Sequence, residues 1–66
     1  MSYADEFTEV FTFKELIKEV EREIALRESL YPKLLRSGRM EASEAEKRIK
    51  RMRAILRVLK AEEGSM

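Results

Sequence analysis

A row of carboxylates is the feature of this sequence that could support acid–base or metal chemistry. Glu15, Glu19 and Glu23 recur every four residues, which places them on one face of a helix. A carboxylate di-metal site in a helical bundle also uses histidine ligands, and the chain has no His. Basic residues alternate with these glutamates, so we interpret the row as a solvated, ion-paired face and predict no metal site.

Nucleophilic catalysis lacks its components as well. The serines have no imidazole base anywhere in the chain, which excludes a Ser–His triad, and the absence of Cys excludes thiol chemistry and disulfides. Two glycines cannot supply a phosphate-binding loop. The sequence therefore predicts no catalytic residue, no cofactor and a non-enzymatic function.

A block of basic residues could contact phosphates or an acidic partner. Residues 47–60 hold seven Lys and Arg and no acid, whereas residues 1–46 hold seven basic and eleven acidic side chains. The block could complement the acidic first part, within one chain or across a dimer, and we favour this interpretation. It could also bind nucleic acid, although no aromatic residue interleaves with the cations for base stacking. The candidate face consists of Lys47, Lys50, Arg51 and Arg57.

Length and composition limit what can position these groups. Sixty-six residues form one small domain near the lower limit for a stable isolated core. No apolar run approaches the roughly 20 residues that cross a bilayer. The acidic N-terminus lacks the basic and apolar regions of a signal peptide, so we expect a cytoplasmic protein without membrane association.

The first helix is predicted over about 13–36. Thr12 and Glu15 match a capping box, and apolar residues follow at helical spacing. Pro32 conflicts with a regular helix, but the apolar phase continues beyond it, so we expect a continuous helix with a bend near Glu28 to Pro32. Gly38 suits the left-handed position that ends a helix.

The second helix is predicted over about 42–62, with Glu41 as its cap or Ser43 as an alternative. A short connection brings two such helices back antiparallel. The fold class is therefore all-α, an antiparallel helical hairpin in a single domain, 1–66. Residues 1–11 form an N-terminal arm and residues 63–66 a frayed tail.

Both helices carry more apolar residues than one hairpin contact can bury. Leu26 and Leu30 lie beside the main seam of the first helix, and Ile55 and Val58 beside that of the second. A lone hairpin of this length is marginally stable. We therefore predict a homodimer that forms a four-helix bundle, the alternative being that this stripe docks a different protein.

A second candidate surface lies toward the closed end of the hairpin. Arg27 falls within the phase of the apolar seam, where it either snorkels and pairs with an acid or anchors an acidic group of a partner. Tyr31, Arg39 and Met40 are residue types favoured at interfaces. They could equally form the plug that seals this end.

Residues 20–56 resemble a group of small phage and prophage proteins. The resemblance rests on Val20 to Arg27, then Tyr31-Pro32-Lys33, Ser37-Gly38-Arg39-Met40, Ala45 and the stretch from Ile49 to Ile55. The resemblance transfers no catalytic residue. It implies a phage accessory protein that binds and modulates a host protein, such as a transcription regulator or a motility ATPase, in the host cytoplasm.

The sequence thus favours a non-enzymatic protein–protein interaction module, with a nucleic-acid-associated protein as the alternative. Salt dependence separates the two hypotheses, because phosphate contacts weaken steeply as salt rises.

Overall fold

The computed structural model describes residues 11–65, which form two helices in one layer. Helix α1 spans Phe13–Arg36 and helix α2 spans Ala42–Gly64. The described range contains no strand, and the helices pack against each other along their length. The predicted all-α hairpin is confirmed. The N-terminal arm lies outside the described residues, except for Phe11.

Helix α1 begins where its capping residue predicts. The backbone of Thr12 is extended, and its hydroxyl accepts a hydrogen bond of 3.2 Å from the backbone N–H of Glu15. This bond satisfies one of the amides that a helix start leaves without a partner. Glu15 also places a negative charge near the positive end of the helix dipole.

Pro32 lies inside helix α1 without ending it. The helix continues for one more turn to Arg36, and Tyr31, just before the proline, is buried. Proline removes one helical hydrogen bond and crowds the carbonyl four residues earlier. The apolar phase beyond Pro32 therefore prevails over this local cost, as predicted. The bend near this proline stays a prediction.

The turn after α1 depends on a glycine in the left-handed region. Gly38 has φ +74°, and the N–H groups of Gly38 and Arg39 donate to the carbonyls of Leu35 and Leu34 at 3.2 and 2.9 Å. These two bonds form a Schellman motif, which pairs carbonyls that the helix end leaves open. The Ser37 hydroxyl adds a bond of 3.1 Å to the Leu34 carbonyl.

Replacement of Gly38 by alanine is expected to lower the free energy of unfolding by about 1–2 kcal/mol. A Cβ at this position would meet no atom within 4 Å, so the cost is the left-handed backbone alone. Gly64→Ala is the matched control, because that residue has no positive φ and lies within α2. Urea denaturation should show opposite signs for the two variants, and equal effects would contradict this account.

Helix α2 begins at the predicted residue and ends slightly later than predicted. Glu41 is its N-cap, without a capping hydrogen bond from its side chain, so the Ser43 alternative is wrong. The predicted end, at about residue 62, lies within two residues of the observed end at Gly64. Ser65 closes this end, since its N–H and hydroxyl donate to the Ala61 carbonyl at 3.1 and 2.9 Å.

The core between the helices is thin. Among the described residues, four side chains are buried, and none is fully enclosed: Ile17, Ile24, Tyr31 and Ala45. The three from α1 recur every seven residues and so form one line along that helix. Half-buried residues of α2, among them Ile49, Met52, Leu56 and Leu59, complete the seam.

Candidate protein-interaction surface

One face of the two-helix layer is held by ion pairs between the helices. Glu28 pairs with Arg53 at 2.8 Å, and Glu21 pairs with Lys60 at 3.7 Å. We call this side the paired face. Seven residues separate the two acids on α1 and the two bases on α2, which fixes the antiparallel register along the hairpin.

A shallow groove of about 460 Å³ lies on the paired face near the turn. Tyr31, Pro32 and Leu35 from α1 meet small residues, Ala42 and Ala45, from α2 to form its apolar floor. Two ion pairs border it: the one between Glu28 and Arg53 and one between Glu46 and Lys50 at 2.9 Å. The sequence alone did not indicate this groove.

Two arginines, one from each helix, lie near the buried Tyr31. The Arg27 Nε donates to Glu23 at 2.9 Å, and the Arg48 Nε donates to Glu44 at 2.9 Å.

These ion pairs change the acidity of their members. The hydrogen bond to Glu23 raises the pKa of the Arg27 guanidinium, and the bond to Glu44 does the same for the pKa of Arg48. The bond from Arg48 lowers the pKa of the Glu44 carboxyl. The stabilisation from Glu44 is therefore present above the ordinary carboxyl pKa and lost as pH falls through the lowered pKa.

The surplus apolar side chains are exposed, as their phase predicts. Leu26 retains 53% and Leu30 44% of its surface, and Ile55 retains 48% and Val58 61%. Such fractions leave about half of each residue in contact with water. A cluster of large exposed apolar residues of this kind marks an interaction site more often than a single one does.

Helical spacing of about 100° per residue places Leu30 and Ile55 on the side of their helices away from the paired face. Leu26 and Val58 lie beyond them, toward the outer edges of the layer. We call Leu26, Leu30, Ile55 and Val58 the apolar face. Half-buried Leu16 and Leu34 border it on α1.

Ion pairs occupy much of the basic block. Four of its seven cations pair with glutamates of the hairpin: Arg48 with Glu44, Lys50 with Glu46, Arg53 with Glu28, and Lys60 with Glu21. Within residues 11–65, Lys47, Arg51 and Arg57 make no ion pair shorter than 4 Å. Of the predicted phosphate-binding face, Lys50 is thus already paired, and Arg57 lies on a different side of α2 from Lys47 and Arg51.

The candidate patch at the closed end is divided between core and surface. Tyr31 is buried in the seam, Arg27 and Met40 are half-buried, and Arg39 is exposed. Arg27 pairs with Glu23, as its snorkelling interpretation predicts. The structure does not bring these four side chains together into one exposed patch.

The carboxylate row does not converge on a common point. Glu19 pairs with Arg22 at 3.8 Å and Glu23 pairs with Arg27. Glu15 lies in the first turn of α1, near the positive end of the helix dipole. In the described part of the chain, no group of three potential metal ligands comes together. Neither described helix combines the length and the apolar character that crossing a membrane requires.

Comparison with known proteins adds no relative. No protein family, no curated protein and no solved structure matches this chain.

Proposed function

We propose that this hairpin is a non-enzymatic protein–protein interaction module that binds through its apolar face. One observation carries the proposal: four of the large apolar side chains that the hairpin leaves exposed, Leu26, Leu30, Ile55 and Val58, lie away from its paired face. Two helices that pack in one layer can each bury one stripe, so a second aligned stripe needs a second layer. A protein surface supplies that layer.

The charges support a protein partner more than a nucleic acid. Interhelical and intrahelical pairs engage four of the seven cations of α2, and a cation so engaged is less available to a phosphate. The cations without such a pair do not line up along one groove. The resemblance to small phage proteins adds the further proposal that the module is a phage accessory protein that modulates a host protein.

The test separates a protein ligand from a nucleic acid. We expect a tagged chain to retain a protein partner, either an untagged copy of the same chain or a host protein, from nuclease-treated bacterial lysate. The amount retained should change little between low and physiological salt. Ile55→Glu should abolish this retention, because it places a charge in the apolar face. Ala54→Glu, at the exposed neighbouring position, should not.

Two results would contradict the proposal. One is nuclease-sensitive retention that falls steeply with salt and is lost in the variant Lys50→Gln, Arg51→Gln, Arg57→Gln, which would favour nucleic acid. The other is a chain that neither self-associates nor retains any protein.

A further inference from the structure

We propose that the apolar face is covered by a second copy of this chain, stacked face to face in an antiparallel two-fold arrangement. This inference rests on the proposed function and names its partner. Each helix then packs against the same helix of the other copy, with the open end of one hairpin over the turn of the other. The product is a four-helix bundle with an isologous interface.

Helix α2 carries a line of side chains that is complementary to itself when reversed. Arg48, Ile55 and Glu62 are seven residues apart and so lie almost on one line of the helix. The line has a cation at one end, an apolar residue at its centre and a carboxylate at the other end. A two-fold axis at Ile55 places Arg48 against the partner's Glu62, and repeats this contact by symmetry.

Helix α1 is self-complementary about the level of Ala25. Leu16 and Leu34 lie nine residues to either side of that level, so an antiparallel copy pairs them across the interface. Glu23 and Arg27 lie two residues to either side of it, and they already form an ion pair of 2.9 Å. The two-fold axis brings the Glu23–Arg27 pairs of the two copies together, so that each Glu23 also approaches the partner's Arg27.

A single axis satisfies both helices. The ion pair between Glu21 and Lys60 shows which residues of the two helices lie opposite each other. Ala25 is four residues after Glu21, and Leu56 is four residues before Lys60, so Ala25 and Leu56 lie at the same height along the hairpin. The centre of α1 is therefore within one residue of the centre of α2 at Ile55, about 1.5 Å along the axis. The two centres are defined by different residues, so their agreement is an independent point in favour of this arrangement.

The parallel alternative brings like charges together. If the open ends of both copies coincided, α1 would stack on α2 of the partner at equal levels. By the same register, Glu19 would then lie at the level of the partner's Glu62, and Lys33 at the level of the partner's Arg48. Like charges opposite each other at an interface disfavour that pairing, so charge selects the antiparallel one.

Sedimentation equilibrium tests whether the chain associates with itself. We expect a dimer at micromolar concentration, with a thermal midpoint that rises with protein concentration. Ile55→Glu should weaken association at least tenfold, because it places two carboxylates at the axis. Ala54→Glu should associate as the unaltered chain does. A folded monomer at high micromolar concentration would overturn the inference.

Cross-linking tests the orientation, and it places no charge at the axis. The chain has no cysteine, so Arg51→Cys and Glu62→Cys each introduce a single thiol. In the antiparallel dimer, residue 51 lies within about 4 Å, measured along the axis, of the partner's residue 62, whereas the two residues 62 are about 20 Å apart. A short bismaleimide should couple a mixture of the two variants and should not couple Glu62→Cys to itself.

Each outcome of the cross-linking bears on the inference. Coupling of Glu62→Cys to itself would overturn the inference, as would a dimer in which the mixed variants do not couple. A monomeric chain that loses a host protein on Ile55→Glu would also overturn it, while the proposed interaction module would stand.

Discussion

Truncation of Ile24 to alanine is expected to lower the free energy of unfolding by about 2–5 kcal/mol. Ile24 lies at the centre of the buried line of α1 and retains 7% of its surface. A thin core offers few neighbours that could move in and fill the resulting cavity. A small domain has only about 5–15 kcal/mol of stability, so this one change removes a large part of it.

Leu35→Ala is the control for this prediction. It deletes a similar volume from a side chain that retains 36% of its surface and lies outside the apolar face, so it should cost clearly less than Ile24→Ala. Urea denaturation followed by circular dichroism measures both variants. Equal losses for the two would mean that the seam between the helices is not the main source of stability.

Replacement of Pro32 by alanine is expected to raise the free energy of unfolding by up to about 3 kcal/mol. Helix α1 continues through this residue, so alanine restores the hydrogen bond to the Glu28 carbonyl and relieves the contact with it. The exposed ring contributes to the floor of the groove, and the loss of that packing subtracts from the gain.

Pro32→Gly separates the two contributions to this gain. Glycine restores the N–H but costs about 1 kcal/mol relative to alanine in a helix, so stability should increase from proline to glycine to alanine. Thermal denaturation at matched concentration measures the order. A loss of stability in Pro32→Ala would show that the ring stabilises the hairpin through the groove more than it strains the helix.

The local features of this fold could be predicted because their causes lie within a few residues. The Thr12 cap, the left-handed Gly38 and the helical spacing of the apolar residues each act over one or two turns. Helix bounds follow from such signals, and the bonds from Ser65 to the Ala61 carbonyl extend α2 slightly beyond residue 62.

The interaction surface could be predicted only in part. The phase of Leu30 beside the seam follows from helical spacing, and so does that of Ile55 on the other helix. Whether two such stripes lie on the same side of the hairpin depends on the contacts across it. The line of Arg48, Ile55 and Glu62 follows from its spacing of seven residues alone.

The sequence by itself determined two helices, their turn and the apolar line of each, because backbone bonding and side-chain periodicity are local. The orientation of each helix about its own axis follows from the packing of the two helices against each other. Ile24 and Tyr31 set that rotation by filling the seam, and the ion pair of Glu28 with Arg53 lies on one side of it. That rotation places Leu30 and Ile55 together on the other side, which makes two separate stripes one surface.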